Sequence, residues 1–250
     1  MRILGVDTAT SQSSIAFLED GNLRAEAAFP PKGAAAGTSV VAKSSHAETV
    51  LLLIQSVLER AQRRLSEIDA IGVSIGPGSF TGLRVGLALV KGIAYECQLP
   101  VVGVSSLEAQ AARVVEFSGT ICPLLDARKQ EVYAALFNRR AGELVRCLAD
   151  QAVETSGLVG LFATIPDSAA IAFVGSGAQR YREQILRLFD GRGQIINDTC
   201  ACSPAVAVAR LALARLGDVS GTELGQLVPR YLGSSQALGN SCRILPNPLE

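Results

Sequence analysis

Apolar positions in the first thirty residues fall in short runs rich in branched side chains. Arg2–Asp7 and Ser14–Leu18 read as strands, and Asp20-Gly21 ahead of Leu23 is the two-residue signal of a tight hairpin. The small, polar stretch Pro30–Ser44 reads as a mobile connecting loop. From Ser45 the spacing becomes that of a helix running to about Leu65. Ser45 and Glu48 open it in the spacing of a capping box, where each side chain takes up an otherwise unpaired amide. Ile71–Ile75 then reads as a buried strand, Gly76–Gly82 as a glycine-rich turn, Leu83–Tyr95 as an apolar helix ending before Pro100, and Val101–Val104 as a further strand.

This β-β-β-α-β-α-β order predicts a mixed sheet covered by helices. A second cycle follows it. Ile121–Asp126, Glu131–Phe137 and Glu143–Leu148 form another meander with a turn at Arg140-Ala141-Gly142; a helix near Ser156–Thr164, a strand at Ala170–Val174 and a helix over Ala178–Phe189 complete it. Two meanders, each opening on a strand that ends in Asp, predict an α/β protein of two related domains with mixed sheets. The expected division is residues 1–107, a second domain 108–232 that is shorter or degenerate, and a tail 233–250.

Both helices of the first domain look wider on their apolar side than one core requires. Projected at 100° per residue, the helix from His46 carries an apolar arc of roughly 160°, with Leu52 stranded opposite. Leu83–Tyr95 carries one of roughly 220°, with Gly82 and Gly86 at its middle and Arg84, Lys91 and Tyr95 opposite. Two readings stay open: both helices are buried inside one domain, or a partner covers them. On the second reading the interface comprises His46, Val50, Leu53, Ile54, Val57, Leu83, Gly86, Leu87, Val90, Lys91 and Ala94, and the two glycines let a neighbouring helix approach closely.

Composition narrows the functional classes. With 23 basic and 23 acidic side chains mixed along 250 residues, no long-range field draws the chain alone onto a polyanion, so RNA is expected only through a partner. Apolar residues make up 48%, ample for a sizeable core, and the scarcity of aromatics favours helices laid on strands. The six cysteines are scattered and the amino terminus lacks a secretory pattern, which predicts a reducing cytoplasm. No apolar run reaches membrane-spanning length. Cys200 and Cys202 lack the further ligands that a metal site needs.

Three turns are candidates for holding a nucleotide. Asp7, Thr8 and Thr10 follow the first strand, where a carboxylate can orient a metal-bound water and hydroxyls can hold phosphate; the same Asp can simply cap a turn. Gly76, Gly78 and Ser79 precede an apolar helix whose amino terminus is a fair anion site, yet the run is neither a Walker A loop nor a dinucleotide fingerprint. Gly175 and Gly177 sit at a strand-to-helix turn that can admit an adenine ring or can be an ordinary βα turn. The acidic loops Asp7-Thr8-Ala9 and Asp126-Ala127-Arg128 both lack the glycine that close approach of a phosphate requires. A site built on two histidines is arithmetically excluded, because His46 is the sole histidine. There is also no C-x-x-C.

The segments ILGVDTATSQSSIAFL, SSHAETVLLLI, GPGSFTGLRVGLALVKGIAY, PVVGVSSLEA, PLLDARKQEVYAALF and VPRYL resemble the TsaB (YeaZ) family, densely over Met1–Phe137 and thinly beyond. That resemblance implies an actin-like ATPase fold of the ribonuclease H-like class. It also implies a non-catalytic subunit in the transfer of a threonylcarbamoyl group to adenosine 37 of tRNA. The implied partners are a TsaD-type paralogue, which carries the catalytic metal on an H-x-x-x-H motif, and a TsaE-type P-loop ATPase, with a homodimer when isolated. Here position 50 is Val, so no metal is expected. No cofactor of its own is implied, and ATP or ADP shared with the partner is left open. The alternatives are an autonomous actin-like kinase using the Asp7 and Asp126 loops with ATP and magnesium, and a stand-alone homodimeric scaffold.

Overall fold

The computed structural model describes residues 1–30, 46–166, 169–197, 202–217 and 224–233. Ser45 with its expected capping box, all but the first residue of the Pro30–Ser44 loop, Cys200, and the tail after Gly233 lie outside the described residues. The chain divides into two compact units, one of Met1–Ala109 with Ala201–Arg230 and one of Gln110–Cys200 with Tyr231–Glu250.

In the first unit, β1 (Arg2–Asp7), β2 (Ser13–Glu19), β3 (Asn22–Phe29), β4 (Ala70–Gly76) and β5 (Val101–Ser105) form a sheet in the order β3-β2-β1-β4-β5. The meander pairs antiparallel, and β4 and β5 join parallel to β1. Asp20 and Gly21 both take positive φ at the hairpin tip, as a two-residue turn between twisted strands requires. Helix α1 (His46–Ala61) and helix α2 (Phe80–Cys97) lie side by side on one face, with Val50, Ile54, Val57, Leu87 and Val90 packed over Leu4, Val6, Phe17 and Val73. Helix α1 stops four residues short of the expected end. Gln62 turns left-handed there, and the Arg63 amide bonds back to Leu58 at 3.0 Å.

The other face of this sheet is covered from far down the chain. Helix α6 (Pro204–Arg215) packs on β1, β2 and β4, so residues expected to close the second domain return to the first. Gly5 and Gly72 make room for it: a side chain on Gly5 would run into the Ala205 carbonyl, and one on Gly72 would meet the Ala212 methyl at 2.6 Å. The Ala205 amide donates to Ser14 Oγ at 3.2 Å, and Arg215 pairs with Glu108. Cover on both faces explains why β1, β2 and β4 are apolar without alternation.

The second unit repeats the order. Its strands β6 (Gly119–Arg128), β7 (Glu131–Arg140), β8 (Glu143–Glu154), β9 (Ile171–Val174) and β10 (Gly193–Ile195) form a sheet β8-β7-β6-β9-β10, matching the first sheet strand for strand. Its helices are poorer. A 3-10 turn (Thr155–Phe162) stands where a helix near Ser156–Thr164 is expected, and the helix over Ala178–Phe189 is split at Tyr181 into α4 (Ser176–Arg180) and α5 (Arg182–Leu188). Phe162, Phe173 and Phe189 meet with ring centres 4.8–5.9 Å apart over Leu124, Val132 and Ala134. The short helix α3 (Ser106–Ala112) spans the boundary between units. Arg139 closes its end, donating from Nη2 to the Ala111 and Ala112 carbonyls and from Nη1 to Gly142, and burial pushes its guanidinium below the usual value. Among the described residues no helix is long and apolar enough to cross a membrane.

Candidate functional site

The turn after β1 is pressed onto the start of α2. The Thr8 amide donates to Ser74 Oγ at 3.2 Å, and the Ala9 carbonyl accepts from the Ser79 amide at 2.7 Å. Ser79 caps α2, its hydroxyl accepting from the Gly82 amide at 3.2 Å. Three glycines permit this contact. A Cβ on Gly78 would strike the Ala9 carbonyl, one on Gly82 the Thr8 carbonyl, and one on Gly86 the Thr8 hydroxyl; Gly78 also has φ +154°. Asp7, at 2% exposure, and Thr8 are sealed beneath, while the Thr10 hydroxyl bonds to Gln12. Gly76 lies against the returning chain at Arg230, whose amide donates to the Ile75 carbonyl at 2.6 Å. The glycines Gly76 and Gly78 therefore pack closely on the protein's own backbone at Arg230 and Ala9. The helix glycines receive this turn, not a neighbouring helix, which corrects that expectation.

The second glycine turn is also closely packed. A Cβ on Gly175 would meet the Leu124 carbonyl at 2.5 Å, and Gly177 lies against Leu124, Leu125 and Val132, so both glycines serve contact of α4 with β6. Asp126 is a hub for its neighbours. It accepts from the Arg128 amide at 2.9 Å, from Arg180 Nη1 at 2.7 Å and from the Tyr181 hydroxyl at 3.4 Å. Burial first, then the Asp126 charge, raises the Tyr181 phenol above its usual value, which keeps it a donor. The Gln130 backbone bonds to the same hydroxyl. These ties hold an unusual hairpin tip in which Arg128, Lys129 and Gln130 all take left-handed φ of 48–68°. Each such non-glycine residue costs about 1–2 kcal/mol.

Most of the expected interface residues belong to the core. Val50, Ile54, Val57, Leu83, Gly86, Leu87, Val90 and Ala94 are buried within the first unit, because the centre of each apolar arc faces the sheet. His46 is exposed, and Leu53 and Lys91 are half-buried. The outward sides carry Leu51 (47% exposed) and Leu52 (50%) on α1, and Phe80 (53%) and Tyr95 (72%) on α2, where Ala88 and Gly92 are exposed and a Cβ on Gly92 would meet nothing within 4 Å. The signal was present, since Leu52 and Tyr95 stand opposite their arcs. Among the described residues no group of His, Cys, Asp and Glu is placed to hold a metal ion.

The family model of TsaD, tRNA N6-adenosine threonylcarbamoyltransferase, matches residues 40–220, well over half the chain. The tRNA threonylcarbamoyladenosine biosynthesis protein TsaB of Bacillus subtilis is 28% identical over 95% of this chain and 96% of its own length. The protein of the same name from Escherichia coli is 34% identical, and there the match spans 56% of each chain. YeaZ from Pseudomonas aeruginosa superposes with a TM-score of 0.73 at 26% identity, over 92% of this chain and 99% of that one. The chain belongs to the TsaD family, on its TsaB (YeaZ) branch. The fold alone is shared more widely: a ROK hexokinase from Thermus thermophilus gives a TM-score of 0.50 at 13% identity, over 88% of this chain and all of that one. Two α/β units with matching mixed sheets are thus the actin-like ATPase fold expected from the TsaB resemblance.

Proposed function

We propose that the chain is the non-catalytic subunit of the complex that transfers a threonylcarbamoyl group to adenosine 37 of tRNA. It docks in the cytoplasm onto a TsaD-type catalytic paralogue through the outward sides of α1 and α2. The observation that carries this reading is the turn at Asp7-Thr8-Ala9, which lacks the glycine that close approach of a phosphate requires and is pressed onto Gly78, Gly82 and Gly86. Catalysis then falls to the paralogue, as does any ATP or ADP held where the two chains meet. A TsaE-type ATPase joins the assembly, and the apolar outer face pairs two copies when the paralogue is absent. That face supports the reading because large apolar side chains at half exposure or more gain about 25 cal/mol per Å² on burial.

The test is reconstitution. The chain alone is expected to show no threonylcarbamoyl transfer and no ATPase turnover, and the chain with its paralogue and the ATPase to form the modified nucleoside, read by mass spectrometry of digested tRNA. Turnover by the chain alone that disappears in Asp7→Ala would overturn the scaffold reading in favour of a kinase.

A further inference from the structure

The strained tip at Arg128-Lys129-Gln130 has no part in the docking face on α1 and α2. It borders a groove of about 750 Å³ lined by Gln130, Gln179, Arg180, Tyr181, Arg182 and Gln184 among others. We propose that this tip and groove bind the sugar-phosphate backbone of the tRNA that the complex modifies, an inference that rests on the proposed function.

Three observations support that occupant. The chain as a whole is neutral, so the gathering of Arg128, Lys129, Arg180 and Arg182 is local and not a consequence of a basic protein. Among the described residues, Arg128, Lys129 and Arg182 make no ion pair, whereas Arg180 is held by Asp126 and Arg187 by Glu183. The groove also offers no ring for base stacking, because Tyr181 is buried, which leaves backbone contacts as what it can make to a nucleic acid. Exposed cations and amide donors around an open groove suit phosphates, whose contacts position an RNA without reading its sequence. The backbone of the left-handed tip is tied through Asp126 and through the Thr155 amide, which donates to the Gln130 carbonyl at 2.8 Å.

The experiment measures tRNA binding to the assembled complex by fluorescence anisotropy across a salt series, with the wild-type chain and with Lys129→Gln/Arg182→Gln. Removing two phosphate contacts is expected to weaken binding about five- to tenfold near 0.1 M salt and to flatten the slope of log K against log salt by about 1.4–1.8. Both side chains project from the surface, so a thermal melt and gel filtration with the paralogue should match wild type. An unchanged affinity and slope in the variant overturns this inference alone. Loss of the paralogue with tRNA affinity retained overturns it in favour of a protein contact. A wild-type complex that fails to bind tRNA overturns both this inference and the function on which it rests.

Discussion

A methyl group placed on Gly86 and one placed on Gly92 meet opposite surroundings on the same helix. On Gly86 it runs into the Thr8 hydroxyl, and on Gly92 it meets open space. Gly86→Ala is therefore expected to destabilise the chain by about 1–3 kcal/mol, since neither helix backbone nor sealed turn can yield freely. Gly92→Ala should stabilise it by up to about 1 kcal/mol through helix propensity alone. Chemical denaturation of the pair checks both signs. A second prediction concerns pH. Asp69 accepts from Arg2 Nη2 at 2.9 Å and from the Arg2 amide at 2.6 Å, and the side-chain bond from Arg2 leads in holding its carboxyl below the usual value. A depressed folded-state value stabilises above the unfolded value near pH 3.9 and is lost as pH falls through the folded value. The melting difference between wild type and Asp69→Asn should accordingly be present at pH 7 and close below about pH 4. Residue roles were unevenly legible. Asp20-Gly21 could be read because a hairpin tip is local, but Gly78 and Gly86 could not be assigned, because a ligand and a distant stretch of backbone ask for the same missing side chain.

At the scale of the element, α1 and α2 divide into a buried side and an outward side, and substitutions on the two should separate folding from docking. Leu52→Glu and Gly92→Arg sit where the chain itself leaves space, so both are expected to keep the wild-type melting temperature and weaken binding to the paralogue at least tenfold. Glu143→Lys, exposed at the start of β8, should leave that binding unchanged. Calorimetric titration decides it, and full affinity in both helix variants removes this face from the assembly. Periodicity found both helices and the excess width of their apolar sides. It could not say which residues the sheet itself would bury, because an arc drawn on a wheel has no orientation until the sheet is placed. The strands of both meanders were legible from their branched residues and turns. The short pieces α3 and β10 were not, since a few residues carry too little pattern to separate an element from a loop.

The two sheets share one strand order, and that repeat was legible as two cycles of meander followed by α/β elements. The route of the chain between the units was not, because nothing near Pro204–Arg215 announces that its small apolar face belongs against Gly5 and Gly72, some two hundred and some one hundred and thirty residues earlier in the sequence. A fragment of residues 1–109 should therefore fail to reach a cooperatively melting state, and a peptide of residues 201–230 added to it should restore one, as followed by near-ultraviolet circular dichroism. Cooperative melting of the fragment alone would show that α6 is dispensable. The same return of α6 reverses the usual order of events on the ribosome. Translation at about 5–20 residues per second leaves the first sheet with one bare face for roughly 5–20 seconds while Gln110–Cys200 is made. The strands of the second sheet are all made before the first sheet is covered, and the nascent chain is a client for chaperones through its oldest strands.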